Sequence, residues 1–446
     1  MRPLLSLFLS VAVLGSGAAH AVALDTTHTT AHRTRSQHLV QAHHARHHAI
    51  HRTAASSAHR SPNTAAAHAA KPASARTRTT SRRTTARAAN GSATIRRASL
   101  HRRHRYYERF TASSFATPDE FAADITAGED PVVRQAAIDA LGDMNGTAVV
   151  IDPSNGRILA MVNQKLALSP GAEPCSTIKL TVAMAALSEG LVTRDTMVRL
   201  PGFRMNMTQA LAKSNNLYFE ELGRELGFER VKHYANEFGL GELAGWHIEG
   251  EQLGEYPDQP ILESDGGVGK MCSFGQGVSM TPLQLGAYVA ALANGGTLYY
   301  LQHPATPEEV AAFQPRIKRT LDIARYLPDI EDGMAGAVDY GTARRLRATF
   351  SEFPVFGKTG TCSNDGTRFG WFASFSEWPQ GSLVTVFFLE GGRPTFGPRA
   401  AELTGDFYRN LWEQNYFTGK PVQATATASP AQGVSVPTAA ATGVNQ

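Results

Sequence analysis

Three short clusters of polar residues stand in order along the chain. They are Ser176-Thr177-Ile178-Lys179, Ser214-Asn215-Asn216 and Lys358-Thr359-Gly360-Thr361. The first sets a hydroxyl and an amine three positions apart, which on a helix puts both on one face about one turn from each other. A serine hydroxyl is a poor nucleophile until a neighbouring base takes its proton. A lysine is such a base only when neutral, so its ordinary pKa of about 10.4 has to fall. Burial and a second nearby cation both lower it, and Lys358 is the candidate for that second cation.

The chemistry this implies is nucleophilic acyl transfer. Ser176 attacks and Lys179 is the general base, while Ser214 relays a proton to the leaving amine. Asn216 binds a peptide amide of the substrate. Lys358 and the Thr361 hydroxyl hold a carboxylate, with Thr359 beside them, and Gly360 lets a substrate backbone approach closely. The backbone N–H groups of Ser176 and Thr361 form an oxyanion hole. None of these steps calls for a cofactor or a metal. Each residue also has an ordinary reading: Ser176 as an N-cap, Lys179 as a solvated helix residue, Ser214 as the cap of the helix beginning LYFEELGREL, and Lys358-Thr359-Gly360 as a strand end. The three clusters together, in this order, favour the catalytic reading.

The surrounding elements have to position these groups. Ser176 to Glu189 reads as a helix closed by Gly190, and Thr281-Pro282 opens another that ends at Asn294-Gly295-Gly296. Gly146 to Asp152 and Arg157 to Val162 read as a hairpin around Pro153-Ser154-Asn155-Gly156. Val355 to Cys362, Phe369 to Ser376 and Leu383 to Leu389 are β-like, with a turn at Glu377 to Gly381 between the last two. A final amphipathic helix runs from about Arg399 to Glu413. Thr117-Pro118-Asp119-Glu120 predicts a helix start, with Thr117 as N-cap and Pro118 at the first position. Strands at both ends and helices between them predict an α+β fold. One antiparallel sheet, built from both chain ends, is flanked by helices and has a mainly helical insert to one side.

The formal net charge of +4 averages two unlike parts. Residues 25–105 hold 16 Arg or Lys and 12 His against the single acid Asp25, whereas 26 basic residues face 38 acids after position 105. The basic stretch is Ala, Thr, Ser, Arg and His with hardly any aliphatic periodicity, so it cannot offset the entropy of ordering. Before it, Arg2 and the apolar run Leu4 to Ala19, followed by small-x-small sites, read as an export signal or an anchor. The expected organisation is a leader at 1–23, a disordered basic tail at 24–115, a folded domain at 116–416, and a disordered Ala/Thr/Pro tail at 417–446. The basic tail is suited to anionic lipid or glycopolymer, or is a solvated linker. No specific nucleic acid is expected for an exported chain. Three cysteines are too few for a disulfide framework. Cys175 and Cys362 each adjoin a cluster. Side-chain alternation turns Cys362 away from the face carrying Thr361, which predicts two separate thiols rather than a bridge.

The three clusters match the active-site boxes of penicillin-binding proteins, and the sequence from roughly Gly146 to Trp412 resembles their transpeptidase domain. Beyond the boxes, AVVIDPSNGRILAM at 148–161 resembles the family's first hairpin, and Phe274-Gly275-Gln276-Gly277 with Met280-Thr281-Pro282 resembles its helix-opening segment. Gly341-Thr342-Ala343 resembles the stretch leading to the Lys-Thr-Gly strand. The resemblance implies an acyl-enzyme on Ser176, periplasmic or extracytoplasmic work on the D-alanyl-D-alanine end of peptidoglycan stem peptides, and covalent binding of β-lactam antibiotics. It leaves open transpeptidase versus carboxypeptidase. A class D-like β-lactamase or β-lactam sensor is the nearest rival, although Ser-Asn-Asn stands where Ser-x-Val is usual in class D, and no Glu-x-x-Leu-Asn of class A is present. A catalytically weak cell-wall-binding scaffold is the other.

Overall fold

A computed structural model of the protein describes residues 112–117 and 120–418. The leader, nearly all of the basic tail and the C-terminal tail from residue 419 lie outside the described residues. Described structure begins with a 3₁₀ turn at Ala112–Ser114 and ends with one at Tyr416–Thr418, slightly wider than the expected 116–416.

In chain order the elements are α1 (Pro131–Leu141), β1 (Gly146–Asp152), β2 (Arg157–Val162), α2 (Gln164–Ala167), a 3₁₀ turn (Cys175–Ile178) and α3 (Lys179–Ser188). Then come β3 (Val198–Leu200), β4 (Phe203–Met205), α4 (Met207–Lys213), α5 (Asn216–Leu226), α6 (Phe228–Glu237), α7 (Gly267–Phe274) and α8 (Pro282–Ala293). The chain continues through β5 (Thr297–Tyr299), α9 (Pro307–Ala311), β6 (Ile317–Thr320), α10 (Leu327–Asp339), β7 (Val355–Asn364), β8 (Thr367–Trp378), β9 (Gly381–Gly391) and α11 (Gly397–Glu413).

The main sheet has the order β2-β1-β9-β8-β7, and every pairing is antiparallel. It is built from both ends of the domain, as the sequence predicts. β1 is buried along almost its whole length, because its residues alternate between two cores. Val149 and Ile151 face the larger core with Leu283 and Val386, whereas Ala148 and Val150 face the smaller one with Phe372, Phe387 and Phe407. A strand covered on both faces is a continuous apolar run, which is why GTAVVID shows no polar alternation. α1 and α11 cover one face, and α8 packs on the other. α8 begins as expected: the Thr281 side chain accepts from Gln284 N, and the Gln284 side chain answers at Thr281 N.

The helix start expected at Thr117 does not propagate. Thr117 N donates to Glu120 Oε2 (3.0 Å) and Glu120 N to Thr117 O (3.2 Å), which closes a turn, and residues 120–123 make only turns. Asp124 is drawn into longer-range bonds instead. Its carboxylate accepts from Asn163 N and Gln164 N and pairs with Arg134 at 2.7 Å. Among the described residues the first α-helix starts at Pro131, where Asp130 caps Val132 N and Val133 N.

Candidate active site

Ser176 does not begin an α-helix. It lies in the 3₁₀ turn Cys175–Ile178, and the α-helix starts at Lys179, so the serine-to-lysine spacing crosses the junction. The pair still meets: Lys179 Nζ is 2.7 Å from Ser176 Oγ. Ser176 is half-buried, whereas Lys179 and Lys358 are fully buried.

The second cluster comes from the junction of two helices. α4 ends at Ser214, which takes the left-handed conformation (φ 52°, ψ 45°). The cap of the next helix is Asn215, whose side chain accepts from Tyr218 N at 3.0 Å. Ser214 is thereby excused from capping, which the sequence leaves as an ordinary reading, and its hydroxyl turns to the lysines. Lys179 Nζ lies 3.2 Å and Lys358 Nζ 2.8 Å from Ser214 Oγ. Asn216, the first residue of α5, accepts from Lys179 through Oδ1 at 2.6 Å.

The third cluster lies on β7, the edge strand of the sheet. Lys358 Nζ also donates to Thr359 O at 2.8 Å. That places the Thr359 carbonyl off the free edge, and backbone groups two residues on share its direction, which sets the Thr361 amide on the same edge. The Thr359 hydroxyl meets Thr342 Oγ1 at 2.6 Å, and Thr361 Oγ1 accepts from Gly397 N at 2.8 Å. Gly360 is also needed for a reason that the sequence does not give. A Cβ there would come within 2.8 Å of the Pro174 carbonyl, so it is the nucleophile's own turn that approaches this strand.

The electrostatics follow from burial. Burial, and after it the charge of Lys358, hold the Lys179 amine well below the ordinary lysine range, with Glu220 acting in the opposite sense. Burial carries Lys358 down to about 7. Glu220 and Thr342 both belong to the site's surroundings and were not singled out by spacing. Glu220 lies one turn beyond Asn216 on α5, a spacing that could have pointed to it.

The expectation of two separate thiols is overturned. Cys175 and Cys362 form a disulfide, with Cα atoms 5.5 Å apart. Side chains do alternate along β7, and it is the face away from Thr361 that meets the nucleophile's turn. The side chains of Thr359 and Thr361 turn toward Thr342 and Gly397, while Gly360 and Cys362 face the nucleophile's turn. Strand alternation therefore delivers Cys362 to Cys175. Cys272 is free and buried. Trp371 Nε1 donates to the Glu173 carbonyl at 3.0 Å, fixing the approach to the turn from a third side. No group of three or more His, Cys, Asp or Glu able to hold a metal occurs among the described residues. No helix among them is long and apolar enough to cross a membrane.

Comparison with known proteins matches residues 146–408 to the penicillin binding protein transpeptidase domain. Stage V sporulation protein D of Bacillus subtilis (strain 168) is 29% identical over 317 residues, covering 59% of this chain and 48% of that protein. Penicillin-binding protein PbpB of Mycolicibacterium smegmatis is 26% identical over 292 residues, covering 55% and 44%. Peptidoglycan D,D-transpeptidase MrdA of Escherichia coli (strain K12) is 26% identical over 267 residues, covering 52% and 41%. The chain thus spans about half the length of the curated relatives it matches. With the family's domain matched over more than half of the chain, the protein belongs to the penicillin-binding protein transpeptidase family.

Proposed function

We propose that the protein is an extracytoplasmic serine D,D-acyltransferase acting on the D-alanyl-D-alanine end of peptidoglycan stem peptides, and that it binds β-lactams covalently at Ser176. The observation that carries this reading is the 2.7 Å approach of the buried Lys179 amine to the half-buried Ser176 hydroxyl. Lys179, its pKa lowered by burial and by Lys358, takes the hydroxyl proton in its neutral form as Ser176 Oγ attacks the carbonyl of the penultimate D-alanine. The developing oxyanion is received by the backbone N–H groups of Ser176 and Thr361. The proton then passes from Lys179 through Ser214 to the leaving D-alanine nitrogen, supported by their 3.2 Å separation. The acyl group remains on Ser176 until an amine or water takes it.

Binding is assigned to the walls. Asn216, whose Oδ1 is committed to Lys179, offers its amide N–H groups to a substrate carbonyl. Thr361 accepts from Gly397 N, so its own O–H is left to donate to the terminal carboxylate, together with Lys358 and the Thr359 hydroxyl. Intact mass after incubation with benzylpenicillin tests this. One penicilloyl adduct is expected, mapping to Ser176 and absent from Ser176→Ala with the fold retained. An adduct on another residue refutes the assignment. A slow loss of the adduct during a chase separates this reading from a β-lactamase.

A further inference from the structure

A second concavity, lined by none of the residues above, lies where the segment after α6 meets the β5–β6 pair. Its volume is about 480 Å³, and it opens to solvent. That size is within the roughly 300–1,000 Å³ of small-molecule sites. Two aromatic rings form its corner: Trp246 and Tyr300 have centroids 5.2 Å apart at an interplanar angle of 68°. Trp246 is 37% exposed, a large apolar surface left in water.

The corner is held rigidly. Trp246 N donates to Leu301 O at 2.7 Å, and Leu301 N to Ala244 O at 2.8 Å. The Glu251 carboxylate accepts from Ala244 N and Gly245 N just before the tryptophan. The Arg316 guanidinium lies 4.4 Å over the indole and covers one of its faces. Lys318 stands 5.2 Å over the Tyr300 ring and donates to Glu242 Oε2 at 2.6 Å. A platform ordered in advance spares a ligand the entropy of ordering it.

The charges choose the ligand class. Two carboxylates, Glu242 and Glu251, stand against three cations: Lys318 and Arg319 both pair with Glu242, and Arg316 lies over Trp246. The Glu251 carboxylate is held by the Ala244 and Gly245 amides, so these charges are largely spent within the protein and call for no full charge on a ligand. A purely apolar ligand would strip water from these groups. A neutral ligand with one apolar face and a rim of hydroxyl and amide groups satisfies both parts: C–H groups against the rings, polar groups to the carboxylates and to Lys318. A pyranose ring has that shape.

We infer that the cleft of Trp246 and Tyr300 is a glycan-binding site that holds the amino-sugar backbone of the polymer whose stem peptide enters the Ser176 site. This rests on the proposed peptidoglycan substrate. The test is calorimetric titration of the full-length chain with a β-1,4-linked N-acetylglucosamine tetramer. Trp246→Ala is expected to weaken binding at least tenfold and Trp246→Phe, which keeps an aromatic face, to recover part of it. Penicillin labelling at Ser176 should be unchanged in both, which also reports that they fold. If the wild type labels with penicillin but does not bind the tetramer, or if Trp246→Ala binds it as well as the wild type, the inference is overturned while the proposed function stands. A wild type that binds the tetramer but fails to label overturns the function instead. A wild type that prefers a proline-rich peptide in this cleft also overturns the inference.

Discussion

Reducing the Cys175–Cys362 bond should cost both stability and acylation rate. The bond closes a loop across a sequence separation of 187. In the chain-entropy description, opening a loop of that length returns roughly 18 cal/mol/K to the unfolded chain, about 5 kcal/mol at 25 °C. Removing native disulfides costs about 2–5 kcal/mol in practice, since residual structure in the unfolded chain absorbs part of the effect. At about 2 °C per kcal/mol for a domain of this size, the melting temperature should fall by roughly 4–10 °C. The same bond joins the residue before Ser176 to the residue after Thr361, so its loss frees the two halves of the proposed oxyanion hole to drift apart. Thiol counting on denatured, unreduced protein comes first, and one free thiol mapping to Cys272 is expected. Calorimetry and penicillin acylation rates, with and without reductant and in the Cys175→Ala/Cys362→Ala variant, then follow. Three free thiols, or oxidised and reduced proteins that melt within a degree of each other and acylate equally fast, would refute the reasoning.

Other outcomes follow from the same geometry. Lys179→Arg keeps a cation that does not deprotonate, and should acylate at least about a hundredfold more slowly, as stopped-flow with a chromogenic β-lactam will read. The acylation rate should rise with pH through a Lys179 pKa lying below the ordinary lysine range, and the hold on the substrate carboxylate should weaken as Lys358 loses its proton near pH 7. A profile that still climbs toward pH 10 would reject a neutral Lys179. Asn215→Ala should destabilise the fold by about 1 kcal/mol through loss of the α5 cap, measured by urea unfolding. Deleting residues 25–105 should leave melting and penicillin labelling unchanged while salt-sensitive retention on anionic vesicles or glycopolymer is lost; a truncated chain that fails to fold contradicts a separate tail.

The sequence was most legible where local rules decide. Short apolar runs around a turn gave β1 and β2, and a helix cap gave α8, each to within a residue or so, and the helical period brought Ser176 to Lys179 even though the turn between them is 3₁₀ rather than α. It was least legible where the answer depends on what packs against an element. Alternation along β7 says that Thr361 and Cys362 point oppositely, but not which of them meets Cys175. That depends on the crossing of the nucleophile's turn over the edge strand at Gly360. The same holds at Thr117, where a correct local signal lost to the ties that Asp124 makes across the fold. Asn215 rather than Ser214 caps α5 because the left-handed turn at Ser214 shifts the cap by one residue.

Ser214 has one more property, which follows from its valence. A hydroxyl oxygen has two lone pairs and a single hydrogen. Both amines donate to Ser214 Oγ, so both lone pairs are taken. The hydrogen then has only one direction left, away from the two lysines and out of the buried pair. The residue is thus polarised like a diode. It accepts hydrogen bonds from the interior and points its own donor outward, so a group arriving from the cleft meets a donor. An alanine here would remove the outlet, while a threonine could keep it if its methyl group found room.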